Sequence, residues 1–359
     1  MKLLTVIGAR PQFVKAATVS RVLREIPEVS EILVHTGQHH DGNMSDIFFE
    51  QMDIPRPDYH LGVAGGGHGQ MTGRMLEQLE ILMLKENPDW VLVYGDTNST
   101  LAGALAAVKL NLPLAHVEAG LRSYNLGMPE EVNRVMTDRV SKLLFCPTEQ
   151  SVRNLEAEGF VTLGIEILKV GDVMFDATEF YRAKASEPAI PSDLDPGRPF
   201  ILATIHRAEN TDDDMRLKKI VKGLEQVHQQ IPVLLSLHPR TRKKFSEMKI
   251  KPGFHTIDPV GYLEMLWLLE RCNLVVTDSG GLQKEACFYR KGCITLRQET
   301  EWTELVETGV NRLVDVAAAE IFPAIKEMLN QDMNFETDLY GDGKASFRIV
   351  QRLLAQDNS

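Results

Sequence analysis

Apolar residues gather in short runs along the chain: Leu3–Ile7, Glu31–Thr36, Val91–Tyr94, Leu114–Val117 and Leu143–Phe145, then Phe200–Thr204, Val233–Leu237, Leu274–Thr277 and Cys293–Leu296. Between runs, apolar positions recur at helical spacing. Met71, Met75, Leu79, Leu82 and Met83 form one stripe, and Leu217, Ile220, Val221, Leu224 and Val227 another. Short runs alternating with such stripes predict strands alternating with helices, the signature of an α/β chain with parallel sheets. The methionines of the first stripe are core residues on this reading. Thr211, followed by Asp212, Asp213 and Asp214, predicts a helix start, with Thr211 as the cap and the acids where the helix dipole favours them.

The strands fall into two groups separated by Val170–Pro199, which includes EPAIPSDLDPGRP with its four prolines. Such a break marks a surface loop or domain junction. The expected hinge is near Gly171–Asp172, giving domains 1–172 and 173–345, with Met174–Ala185 as a helix of the second. A length of 359 residues suits two domains and hence a cleft. The net charge of −11 disfavours nucleic acid and anionic membranes as partners. Cys146, Cys272, Cys287 and Cys293 form no CxxC pair and read as core thiols of a reducing compartment. The N-terminus MKLLTVIGARPQ carries no leader pattern and no long apolar segment follows, so a cytoplasmic protein is expected. His35, His39 and His40 straddle a glycine turn without an acidic ligand set, and no metal is expected.

In an open parallel sheet, ligands bind beyond the carboxyl ends of the strands, so the residues after each apolar run carry the chemistry. In the first half these are Gly8-Ala9-Arg10-Pro11-Gln12 with Lys15, then Gly95-Asp96-Thr97-Asn98-Ser99, then Glu118-Ala119-Gly120-Leu121-Arg122 and Pro129-Glu130-Glu131-Val132-Asn133-Arg134. In the second half they are His206-Arg207, His238-Pro239-Arg240, and Ser279-Gly280-Gly281 with Glu285. Glycines let backbone approach a ligand, and the N–H groups of the helix that follows form an anion site. Arg207, His238 and Arg240 add positive charge, whereas Glu285 suits a ribose diol better than a phosphate. A nucleotide diphosphate satisfies both demands. Taken singly, the serine-glycine-glycine stretch is also a tight turn, GDTNST also a capped helix start, and the acids also a solvated edge; Gly65-Gly66-Gly67 reads as a loop. The functional reading rests on their co-occurrence at six strand ends.

The ordered motifs GARPQFVK, TGQHH, GDTNS, HVEAGLRS, PEEVNR, VGD, TIHRAEN and TDSGGLQKEA resemble the non-hydrolysing UDP-N-acetylglucosamine 2-epimerase family over essentially the whole chain. The resemblance implies a glycosyltransferase B-like fold: two Rossmann-like domains with parallel sheets facing a central cleft, and a C-terminal helix, 346–355, returning to the first. It implies a homodimer and a reaction without cofactor. A base removes the C2 proton as UDP leaves C1, and UDP re-adds to the glycal with protonation from the opposite face. By those motifs Asp96, Glu118, Glu130 and His206 are the catalytic group. Arg10, Lys15, Arg207, His238, Ser279, Gly280 and Gly281 bind phosphates or substrate, and Glu285 the ribose. An allosteric UDP-sugar site of the family maps to Gln38, His39 and Arg74, although Asp41 stands where many members carry Gln.

Two departures bear on substrate. The run RQETEWTE replaces an RxxTERPE-like run, placing Trp302 in a specificity position, and the SYNLGMPEE loop is short. Both resemble the branch acting on UDP-2,3-diacetamido-2,3-dideoxy-glucuronic acid in O-antigen lipopolysaccharide biosynthesis, where Arg122 or Arg134 would meet the extra carboxylate. UDP-N-acetylglucosamine, giving UDP-N-acetylmannosamine, is the alternative substrate. A retaining glycosyltransferase would need an acceptor site and membrane-facing patches. A nucleotide-sugar sensor would bind tightly without exchanging the C2 proton.

Overall fold

The computed structural model describes residues 1–38, 56–317, 320–335 and 338–355. The chain forms two compact units, Met1–Glu179 with Asp338–Ser359, and Phe180–Thr337. The first crossing therefore falls inside the helix Val173–Arg182, beyond the expected hinge at Gly171–Asp172.

The first unit holds a seven-stranded parallel sheet in the order β3-β2-β1-β4-β5-β6-β7. Its strands are β1 (Lys2–Ile7), β2 (Ser30–His35), β3 (Tyr59–His60), β4 (Trp90–Tyr94), β5 (Leu114–Val117), β6 (Leu143–Cys146) and β7 (Glu166–Lys169). The second holds a six-stranded sheet ordered β10-β9-β8-β11-β12-β13. These are β8 (Ile201–Thr204), β9 (Val233–Ser236), β10 (His255–Ile257), β11 (Leu274–Thr277), β12 (Gly292–Thr295) and β13 (Asn311–Leu313). The order reverses between β1 and β4 in one unit and between β8 and β11 in the other, the two places where a doubly wound sheet opens a crevice.

The central strands are apolar on both faces because helices cover both. Val91 to Tyr94 and Leu274 to Val276 are fully buried. The helix His68–Glu86 buries Met75, Leu79, Leu82 and Met83, with Met71 packed at the edge of the same core. The helix Asp214–His228 buries Leu217, Ile220, Val221, Leu224 and Val227. Its cap is Asp213, which accepts the N–H groups of Met215 at 2.8 Å and Arg216 at 3.1 Å. Thr211 instead ends the short helix Ala208–Thr211, because its hydroxyl bonds back to the Arg207 carbonyl at 2.9 Å.

The C-terminal helix Ala345–Ala355 belongs to the first unit and packs on the helix Arg10–Arg24. Asp176 caps it from another helix, accepting the N–H of Ala345 at 3.1 Å and of Ser346 at 2.7 Å. Arg348 bonds the Val170 carbonyl at 3.0 Å, and the Asp172 N–H donates to the Tyr340 carbonyl at 2.9 Å. Arg352 pairs with Glu166 on β7.

Candidate active site

In the first unit the loop after β1 is drawn onto the loop after β4 by one glutamine. Gln12 accepts the N–H groups of Gly8 and Ala9, each at 2.9 Å, and donates to the Tyr94 carbonyl at 2.8 Å. A side chain at Gly8 would run into the Ser99 and Thr36 hydroxyls, both 2.1 Å from an added Cβ, so only glycine fits. Lys15, one turn into the helix, forms an ion pair with Glu118, and both side chains are largely buried. Glu118 has φ +71°. A left-handed glutamate costs on the order of 1–3 kcal/mol and marks a position that the surroundings over-determine. The N–H groups of Glu118 and Ala119 share the Phe145 carbonyl, both at 3.1 Å, which turns the chain sharply out of β5.

Asp96 is half-buried and pairs with Arg134, while its carbonyl takes the Asn133 amide at 2.9 Å. Arg134 also binds Glu131 at 2.7 Å. Glu131 is buried and accepts the N–H groups of Ser123 at 3.0 Å and Tyr124 at 2.9 Å. Glu130 lies on the exposed side of the same helix, Pro129–Val140. Arg122 is committed to Asp138 and Glu158, each at 2.7 Å, in a buried cluster. Burial alone would raise the Asp138 carboxyl, but hydrogen bonding to His116, the charge of His116 and Arg122 hold it below the usual carboxylate range.

Around the loop before the helix His68–Glu86, Arg74 donates to the carbonyls of Ala64 and Gly65. Gln38 accepts from the Ser99 N–H at 3.1 Å and its hydroxyl at 2.8 Å, which joins it to the Gly95–Ser99 loop. His39 and the side chain of Arg10 lie outside the described residues.

In the second unit the switch point is held by Asp278, fully buried after β11. It accepts the N–H groups of His206 and Arg207 at 3.0 Å and the Asn210 amide at 3.1 Å, and faces His206 Nδ1 at 3.1 Å. Burial would raise its pKa, but His206 and these donors hold it low, so the imidazole is aimed by a fixed anion. The rings of His206 and His238 lie 5.3 Å apart, and the exposed Arg207 neighbour Glu209 is 3.9 Å from the guanidinium. His238 Nδ1 accepts the Arg240 N–H at 3.2 Å, capping the helix Pro239–Glu247.

Ser279 is the N-cap of the helix Gly280–Phe288, and its side chain makes no cap bond to that helix. The first N–H groups of Gly280 and Gly281 thus offer donors and a positive dipole end to an anion. Gln283 holds this turn by donating to the Ser279 carbonyl at 3.1 Å while accepting from Thr300 at 2.7 Å. Trp302 is buried; its indole N–H donates to the Gly280 carbonyl at 3.0 Å, and the Lys284 ammonium sits 4.0 Å over its ring. Glu285, on the same helix, is also buried.

Sequence reasoning passed over His116, Asp138 and Asp278. A signal for Asp138 existed: Glu131, Arg134 and Asp138 recur at helical spacing, opposite Val132 and Met136, so the helix buries polar residues and exposes apolar ones. Among the described residues no cluster of three His, Cys, Asp or Glu side chains could hold a metal, and no helix is long and apolar enough to cross a membrane.

A sequence profile described as UDP-N-acetylglucosamine 2-epimerase matches residues 21–354. The chain belongs to the UDP-N-acetylglucosamine 2-epimerase family. The UDP-2,3-diacetamido-2,3-dideoxy-D-glucuronate 2-epimerase of Pseudomonas aeruginosa is 55% identical over 98% of this chain and 99% of that protein. The UDP-N-acetylglucosamine 2-epimerase of Methanocaldococcus jannaschii is 42% identical, over 98% of this chain and 99% of its own length. A crystal structure of a Methanocaldococcus jannaschii UDP-GlcNAc 2-epimerase in complex with UDP-GlcNAc and UDP matches with a TM-score of 0.86 at 40% identity, covering 99% of this chain and 100% of that one. The protein is accordingly a UDP-sugar 2-epimerase, an isomerase of the non-hydrolysing type, with the glycosyltransferase B-like fold of these relatives. The family, fold class and enzyme class expected from the motifs are borne out.

Proposed function

We propose that this epimerase inverts C2 of UDP-2,3-diacetamido-2,3-dideoxy-glucuronic acid to the manno epimer, supplying a precursor of O-antigen polysaccharide. The observation that carries this is the 55% identity over nearly the full length to the Pseudomonas aeruginosa enzyme of that name, against 42% to the Methanocaldococcus jannaschii UDP-N-acetylglucosamine enzyme. The second reading, UDP-N-acetylglucosamine as substrate, is favoured by the bound ligand of the matching crystal structure.

In the proposed reaction a carboxylate of the first unit takes the C2 proton while the C1–O bond to UDP breaks, its electron pair leaving with the diphosphate. UDP then returns to C1 and an acid delivers a proton to the other face of C2. Asp96 and Glu118, each already paired with a cation, are the two acids we assign; Glu130, on an exposed helix face, is the weaker candidate. Lys15 and Arg10 would steady the substrate. Arg134, beside Asp96, is the cation suited to the sugar carboxylate, since Arg122 is saturated by Asp138 and Glu158. The N-terminus of the helix Gly280–Phe288, with Ser279, Gly280, Gly281, Arg207 and His238, would hold the diphosphate. His206 would stand at the leaving group and Glu285 on the ribose. We further propose a cytoplasmic homodimer, consistent with four cysteines free of disulfides.

The test is proton NMR in D2O with each UDP-sugar in turn. Loss of the C2 proton signal and appearance of a manno product with the diacetamido acid alone is the expected result. Turnover of UDP-N-acetylglucosamine alone would transfer the assignment to the second reading, and tight binding with no exchange of either would indicate a sensor.

A further inference from the structure

Beneath the strand ends of the first unit, His116 on β5 is fully buried with both ring nitrogens against acceptors, Asp138 Oδ1 at 2.7 Å and the Gly95 carbonyl at 2.7 Å. A carbonyl and an ionised carboxylate only accept, so each ring nitrogen faces a group to which it can donate. The other Asp138 oxygen accepts the Gly120 N–H at 3.1 Å and Arg122 Nη1 at 2.7 Å. Arg122 extends the cluster to Glu158 through Nη2 at 2.8 Å.

The backbone groups gripped here belong to the two loops that carry the acids. Gly95 precedes Asp96, and Gly120 follows Glu118 by two residues. Gly95, Glu118 and Gly120 all have left-handed backbones, at φ +61°, +71° and +78°. An added Cβ at Gly120 would lie 2.4 Å from the Ser151 carbonyl oxygen, and one at Gly95 would lie 3.3 Å from both the Glu118 carboxylate and the Lys15 ammonium. Glycine takes this conformation freely, so the strain sits at Glu118, and the loops on either side of it are held by His116 at the Gly95 carbonyl and by Asp138 at the Gly120 N–H.

We infer that His116 and Asp138 are positioning residues of the epimerase, a buried hydrogen-bonded pair that sets the carboxylates of Asp96 and Glu118 through the backbone at Gly95 and Gly120. The inference rests on the acid assignments proposed above. Neither residue touches substrate in this role. The charged and titratable groups that face the pair are Arg122, with Glu158 behind it, the Cys146 thiol on β6, and the Lys15–Glu118 pair across Gly95.

Asp138→Asn tests it. An amide has one acceptor oxygen, which cannot serve His116 on one side and both Gly120 and Arg122 on the other. The expected result at pH 8, in the D2O exchange assay, is a kcat at least about 50-fold below the native enzyme with UDP affinity changed less than about threefold. A folded variant with native kcat, or one whose kcat and UDP affinity fall together, would overturn the inference. If Asp138→Asn does not fold, His116→Gln and His116→Asn decide. The first retains a donor where Nε2 faces Gly95, the second where Nδ1 faces Asp138, and the inference requires the Gln variant to be the more active by about tenfold or more. Equal activities would overturn it. Native enzyme that exchanges neither UDP-sugar would instead overturn the proposed function, and the inference with it.

Discussion

Single residues here are committed in ways that separate turnover from binding. Asp96→Asn keeps the shape that Arg134 and Asn133 hold but removes the carboxylate proposed as base, so turnover should vanish while UDP binding stays within about tenfold, roughly 1.4 kcal/mol. Isothermal titration beside the exchange assay checks both halves, and equal loss of both would make Asp96 structural. Trp302 is a second case. Its sequence position suggested a sugar-specificity role, and its indole N–H donates to the carbonyl of Gly280 at the start of the helix Gly280–Phe288. Trp302→Phe should therefore weaken UDP severalfold and leave the ratio of kcat/KM for the two UDP-sugars unchanged. A changed ratio would instead support the specificity role. Asp96, Glu118, His206 and Ser279 were legible as candidates because each stands within two residues of the end of an apolar run. Asp138 and His116 were not, because a polar residue inside a helix or strand looks like a solvated face until the helix is seen to turn that face inward.

At the scale of elements, the central strands were readable because burial on both faces writes an uninterrupted apolar run. The edge strands β3, β7, β10 and β13 were not, being short and polar or half-exposed, as edges tend to be. Helix starts divide the same way. In GDTNST the cap of the helix Asn98–Lys109 is Thr97, accepting the Thr100 N–H, and not Asp96, whereas in the TDDD run the separate short helix Ala208–Thr211 takes up Thr211 and leaves the cap to Asp213. Asp213→Ala should therefore cost about 1 kcal/mol of stability, measured by urea unfolding, and Thr211→Ala should not act through that helix. A null effect at Asp213 would mean that solvent satisfies those N–H groups equally well.

For the molecule as a whole, acid stability follows from buried carboxylates in both units. Asp138 in the first and Asp278 in the second have folded-state pKa values below their unfolded ones. Their stabilisation is fully present above the ordinary range near about 4 and is lost as the pH falls through the depressed values. Glu31 and Asp176, raised chiefly by burial, act in the opposite sense and oppose folding as the pH rises from about 4 through their folded values. Melting temperature should thus decline steeply below pH 4, and in Asp138→Asn that decline should be shallower. An unchanged slope would place the acid-sensitive groups elsewhere.

The return of the helix Ala345–Ala355 to the first unit has a consequence for biosynthesis. Residues 180–337 form a contiguous unit that can close as soon as it clears the ribosome. The first unit, though translated earlier, lacks until the end the segment that covers Arg10–Arg24, is capped by Asp176 and pairs Arg352 with Glu166. Its apolar surface beneath that segment stays exposed throughout synthesis of the other unit. The half of the molecule that begins first is finished last, and it is the half whose completion a premature stop near residue 344 would prevent.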